Sequence, residues 1–185
     1  MRTRRLNDFS IIDEAYFTFK PENYLHESFD IHKISYDESM LFSDKWDSIR
    51  NAFIYINTHR GGFFCCHANH IVFGTYGYFD EQIFRQMASG WKFKTYEWYQ
   101  KLNLKWISTH TIAKKYLSIS NYGLRSVCDY LSIEFDHHNC KEDTRATEEI
   151  FKKLVPEKLT LKELLQIGNY KHSTGERHNG NLRLI

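Results

Sequence analysis

The feature that most constrains this fold is a repeated change of period along the chain. Short runs rich in branched and aromatic residues, at 9–19, 71–74 and 105–109, alternate with longer segments whose apolar residues recur at three- and four-residue spacing. A strand alternates its side chains between two faces and a helix returns every third or fourth residue to one face, so the two patterns fix element types. FSIIDEAYFTF at 9–19 reads as a strand stopped by Lys20-Pro21, and residues 2–6 pair with it through a tight turn at Asn7-Asp8. From Ser43 to about His59, Trp46, Ile49, Phe53 and Ile56 lie on one face of a helix that Gly61-Gly62 ends.

Downstream, IVFG at 71–74 predicts a buried strand, 79–89 a helix, and KWIST at 105–109 the next strand. Helices are expected at about 110–117, 123–131 and 142–154. A last one is opened by Thr160 and Glu163 in capping-box spacing. A hairpin followed by strands that alternate with helices predicts a mixed α/β domain. With 185 residues and 42% hydrophobic content the chain can close one core, expected over 1–169. Residues 170–185, where Lys171, His172, Arg177, His178 and Arg183 sit among Gly and Asn, read as a C-terminal tail.

Charge excludes little, because a net +2 says nothing about local basic patches. No apolar run is long enough to span a bilayer, so no membrane role is expected. Cys65, Cys66, Cys128 and Cys140 form no paired framework, which fits a reducing compartment and a cytoplasmic protein. Cys65, Cys66, His67 and His70 look like a metal cluster. Adjacent cysteines, however, fit a structural zinc site poorly, and incidental thiols in a turn explain them better. The stretch WKFKTYEWYQKLNLKW at 91–106 interleaves rings with lysines, a composition able to hold a single strand of nucleic acid. The same pattern describes an amphipathic helix with its rings packed inward.

The most specific signal is HNCKEDTRATEEIF at 138–151, where His138 precedes by five residues an aspartate, Asp143, in the first turn of an expected helix. This spacing, with Ala146, Thr147, Ile150 and Phe151 behind it, resembles the third motif of the DEDDh class of 3′–5′ exonucleases. That family is exemplified by the proofreading subunit of DNA polymerase III and by RNase T. The stretch before it, WISTHTIAKKYLSISNYGLRSVCDYLSIEF, is similar to the family's path of strand, helix, leucine-anchored helix and Leu-x-Ile. FGTYGYFDEQIF at 73–84 resembles the second motif, which places an aspartate after an aromatic residue just beyond a buried strand, here Phe79-Asp80. IHKI at 31–34 resembles the family's Ile-His-Gly-Ile turn, with Lys33 in place of glycine.

The resemblance implies an RNase H-like exonuclease fold, a mixed sheet flanked by helices, and a two-ion magnesium or manganese site. Two divalent ions about 4 Å apart, one activating water and one stabilising the departing oxygen, suit phosphodiester hydrolysis. Hard cations call for carboxylate oxygens. Asp80 and Asp143 would bind metal, and His138, with His137 as its rival, would take the proton from water. The implied partner is the 3′ end of single-stranded DNA or RNA. For each acid a plainer role exists, as a favourable charge in a helix's first turn.

The family's first motif is missing. It is a strand carrying Asp-x-Glu, whose carboxylates share a face, and the nearest pair here, Asp13-Glu14, consists of neighbours that point to opposite faces. Ile11 to Ile31 matches the family's third strand and following loop, so the expectation is an N-terminally shortened chain without the first strand. Such a chain is expected to be an exonuclease of reduced activity, active through an oligomer that supplies the strand, or a catalytically impaired module that binds nucleic acid or a protein.

Overall fold

The structure is a computed structural model that describes residues 2–4, 11–59, 72–78, 80–83, 105–155 and 160–168. The turn at Asn7-Asp8, Gly61-Gly62, the Cys65–His70 cluster, 84–89, the aromatic stretch up to residue 104 and the 170–185 tail lie outside them. Contacts group the chain into two compact units, one over Met1–Ala68 and the other over Asn69–Lys171. The architecture is mixed α/β and mostly helical. No helix among the described residues is long and apolar enough to cross a membrane.

In the first unit, β1 (Arg2–Arg4) pairs antiparallel with β2 (Ile11–Glu14), Arg2 opposite Glu14 and Thr3 opposite Asp13. The register shifts between Thr3 and Arg4. The strand is shorter than the branched, aromatic run suggests: residues 15–19 carry no ladder. Two short helices not anticipated from periodicity follow, α1 (Phe29–His32) and α2 (Tyr36–Met40). Four or five residues are too few to display a helical period. Between them Lys33 has φ 56°, a left-handed conformation, at the position where the IHKI comparison expects glycine.

The helix expected from Ser43 is α3 (Lys45–His59), two residues shorter, because Asp44 caps it by accepting the Trp46 N–H at 2.8 Å. Its buried face is Ile49, Ala52, Phe53 and Ile56. Trp46, expected on that face, is 41% exposed instead, with the Lys45 ammonium 5.6 Å from its ring. Trp46 lies in the first turn, one turn before Ile49 where the buried stripe begins, and the small Ala52 completes that stripe.

In the second unit, β3 (Val72–Thr75) and β4 (Lys105–Ser108) form a parallel pair with Phe73 opposite Trp106 and Gly74 opposite Ile107. Three helices follow β4: α4 (Thr109–Tyr116), α5 (Leu124–Tyr130) and α6 (Cys140–Leu154). Each starts or stops for a local reason. The Ser108 hydroxyl accepts the Thr111 N–H at 3.3 Å and opens α4. Ser132, at φ 55°, closes α5 in a Schellman arrangement, with the Ile133 N–H on the Cys128 carbonyl at 2.9 Å and the Ser132 N–H on Asp129 at 3.2 Å. Asn139 accepts the Lys141 N–H at 3.1 Å and starts α6 two residues earlier than the expected 142.

The expected capping box is present. The Thr160 N–H donates to the Glu163 carboxylate at 2.8 Å and the Glu163 N–H to the Thr160 hydroxyl at 3.3 Å, opening α7 (Leu161–Gly168). Glycine ends α7 where the helix meets β4: a Cβ on Gly168 would lie 2.5 Å from Ile107 Cγ2.

Two core clusters bind these elements. Ala113, Val127, Cys128, Ile133, Ala146 and Ile150 join α4, α5 and α6, and Ile107, Ile112 and Leu164 join β4, α4 and α7. Ile150 is fully buried at the centre of the first. Ile150→Ala is expected to lower stability by roughly 2–5 kcal/mol, the range for truncating a buried aliphatic side chain. Ile54→Ala, at a position 53% exposed, is expected to stay within about 0.5 kcal/mol of the parent. Urea unfolding of the two variants reads the difference.

Candidate functional site

All three residues singled out for chemistry, Asp80, His138 and Asp143, belong to the second unit. Asp80 is the first residue of a helical stretch at 80–83, which follows β3 after a bend at 76–78. That bend is held from several sides. The Tyr76 carbonyl accepts the His110 N–H at 2.7 Å and the Ser108 hydroxyl at 3.2 Å, which ties it to the β4–α4 junction. The Thr75 hydroxyl donates to the Gly77 carbonyl at 2.6 Å, and the Gln82 N–H to the Tyr78 carbonyl at 3.1 Å. The Tyr76 hydroxyl donates to the Tyr122 carbonyl at 2.5 Å, and Tyr122 in turn donates to the Leu117 carbonyl at 2.9 Å. Burial, with Cys128 adding to it, raises the Tyr76 phenol above the ordinary tyrosine range, so it stays a neutral donor.

Asp143 comes from the first turn of α6, where its N–H donates to the Asn139 carbonyl at 2.8 Å. A carboxylate there is favoured by the helix dipole. The helix cannot turn about its axis, because Ala146 and Ile150, three and seven positions further on, are buried against α4 and α5. Arg145 is engaged by Glu142, its Nε and Nη2 lying 3.0 and 2.9 Å from one carboxylate oxygen, and by the Glu134 carbonyl.

Asp80 lies within electrostatic reach of Asp143. Burial first, and the charge of Asp143 second, push the Asp80 carboxyl above the usual carboxylate range. Asp80 keeps a solvent-exposed surface, so water screens part of both effects. The chemical content is a pair of acids, distant in sequence, whose like charges oppose each other.

The histidines divide. His137 Nδ1 lies 3.4 Å from Asp143 Oδ1, with both side chains about one-third exposed or less. His138 stacks on His137, ring centroids 3.9 Å apart and planes at 24°, and is itself exposed. Its backbone is left-handed, φ 73°. Of the two histidines weighed from sequence, His137 is therefore the one in contact with Asp143, while His138 is placed one ring further out. Spacing alone pointed to His138 first, because a count of residues carries no information about a left-handed turn.

Two other reactive groups of the second unit are Cys128 and His110. Cys128 is buried in the core, and burial followed by the Asp129 charge pushes its thiol up to about 11, so the nucleophilic thiolate is suppressed. His110 is held below the ordinary histidine range by burial and then by Lys114, and its ring meets those of Tyr76 and Tyr122 edge-on at 5.9 and 6.3 Å. Asp13 and Glu14 are in β2 of the first unit, opposite Thr3 and Arg2.

Among the described residues no group of three or more His, Cys, Asp or Glu is arranged to hold a metal ion. The Asp80–Asp143 donor set nevertheless suits one hard divalent cation. Magnesium takes one or two protein carboxylates and fills its shell with water and substrate phosphate oxygens, and a cation relieves the repulsion between the acids. A second ion would need carboxylates beyond these two. No family model, curated protein or solved structure matches the chain.

The Asp80 environment sets a pH dependence. Its folded-state carboxyl holds a proton more tightly than the unfolded one, so the folded chain binds more protons in that window and stability falls as pH rises through it. Asp80→Asn removes the charge. It is expected to raise the thermal midpoint by a few degrees at neutral pH in the absence of divalent ions. The gain should vanish below the ordinary carboxylate range, where Asp80 is neutral in both states; melting curves across pH measure it.

Proposed function

We propose that this chain is a DEDDh-like exonuclease module with an RNase H-like fold, and that it handles 3′ ends of single-stranded DNA or RNA through a divalent ion held by Asp80 and Asp143. What supports this reading most is that the charge of Asp143 reaches Asp80, one acid placed just after β3 and the other in the first turn of α6. The element order supports it. β4, α4, α5, Leu131-x-Ile133 and the histidine pair before α6 follow the path of strand, helix, leucine-anchored helix and Leu-x-Ile that the family comparison expects.

On this reading the residues have separate tasks. Asp80 and Asp143 would hold the cation. The ion, when bound, supplies activation of water and stabilisation of the departing oxygen. His138, exposed and stacked on His137, would accept the proton that the water loses. A cytoplasmic setting accords with the free thiols of Cys128 and Cys140.

A second reading is favoured by the lack of a third metal donor among the described residues. The same module would then bind nucleic acid or a protein without hydrolysing a phosphodiester, and binding would not depend on divalent ions. One assay separates the two. With manganese and a 3′-terminal single-stranded oligonucleotide labelled at its 5′ end, the exonuclease reading expects a ladder of shortened products. Asp143→Ala is expected to lower the rate by about 100-fold or more, the scale for removing a group that stabilises charge in the transition state. Laddering that survives the substitution, or oligonucleotide binding with no cleavage and no metal dependence, rejects the hydrolytic assignment.

A further inference from the structure

The histidine pair offers more than a proton acceptor. An aspartate carboxylate only accepts hydrogen bonds, so the 3.4 Å contact between His137 Nδ1 and Asp143 Oδ1 requires the proton on Nδ1. The His137 ring is held in place on two sides. Phe135 meets it edge-on at 5.4 Å and 62°, and His138 covers it face-to-face at 3.9 Å and 24°. In an extended chain neighbouring side chains point to opposite sides. The left-handed backbone of His138 breaks that rule and lets adjacent rings stack, a conformation histidine adopts more readily than most residues.

Asp143 thus has one oxygen tied to a ring whose orientation is fixed. From this arrangement we infer that His137 is a positioning residue: its Nδ1–H holds the Asp143 carboxylate in the orientation that, with Asp80, binds a divalent cation. His138 serves as the lid of the stack and leaves Asp143 untouched. This rests on the reading of Asp80 and Asp143 as a cation site and adds the group that sets the geometry of one of them. Carboxylates that bind metal are ordinarily braced by such a hydrogen bond, and losing the brace typically weakens metal binding by about 10–100-fold.

The test is a manganese titration of the full chain, followed by the rise in thermal midpoint and by the loss of free manganese signal in electron paramagnetic resonance. His137→Ala is expected to weaken manganese binding by about 10–100-fold. His137→Asn, whose amide N–H can still donate to the carboxylate, is expected to recover most of that loss, and His138→Ala to leave the affinity unchanged. Recovery by asparagine is a result that a purely structural role for the ring would not produce. If His137→Ala does not fold, the asparagine and His138→Ala variants decide the matter by the same criterion. Wild-type protein that binds manganese while His137→Ala binds it equally, or a loss that appears in His138→Ala instead, overturns the inference alone. Wild-type protein that takes up no manganese, with or without oligonucleotide, overturns the cation reading and this inference with it.

Discussion

The second unit depends on the burial of one face of α6. Ala146 and Ile150 are fully buried in a cluster with Ala113, Val127, Cys128 and Ile133. Interiors pack at near-crystalline density, so this contact fixes α6 in rotation as well as in position. Asp143 sits on the same helix, three residues before Ala146, and its direction follows from that seating. The hydrophobic contact one turn further on fixes the helix that carries Asp143.

The opposing half is organised by hydrogen bonds. Asp80 follows a bend that contributes no regular ladder, and such a segment keeps its shape only if its polar groups are satisfied. The Tyr76 carbonyl does this with two donors from the β4–α4 junction, and the Tyr76 hydroxyl reaches the carbonyl of Tyr122 in the loop before α5. Packing and hydrogen bonding therefore converge on a pair of like charges. Burying Asp80, and to a lesser degree placing it within reach of the Asp143 charge, works against stability, as its raised carboxyl records, and the surrounding packing offsets that cost.

The histidines show how a local backbone choice alters chemistry. A left-handed residue at 138 is compatible with the turn before α6 and with the Asn139 cap. It also stacks the two rings and leaves the inner one against Asp143. Ser132 has a comparable effect at the end of α5, where its left-handed backbone lets Ile133 fold under the helix and reach the core. In both places a non-glycine residue takes a conformation of low intrinsic preference, and neighbouring hydrogen bonds or ring contacts hold it there.

Much of the element order was written in the sequence. The helices from α4 to α7, the existence of strands β3 and β4 and the Thr160–Glu163 capping box were legible because each shows in a local period, composition or cap; that β3 and β4 pair in parallel was not. The pairing of β1 with β2 was legible for a similar reason, since it joins two nearby runs of strand-forming residues. Trp46 was misplaced, α1 and α2 were missed, and strand β2 was overextended, because periodicity does not report where packing partners run out. What the tertiary structure alone decided was that Asp80 and Asp143 oppose each other, that His137 rather than His138 touches Asp143, and that Gly168 is required against Ile107. Local sequence dictates hydrogen-bonding period and capping. The meeting of distant side chains depends on how helices seat in a core, and that is a property of the whole packed unit.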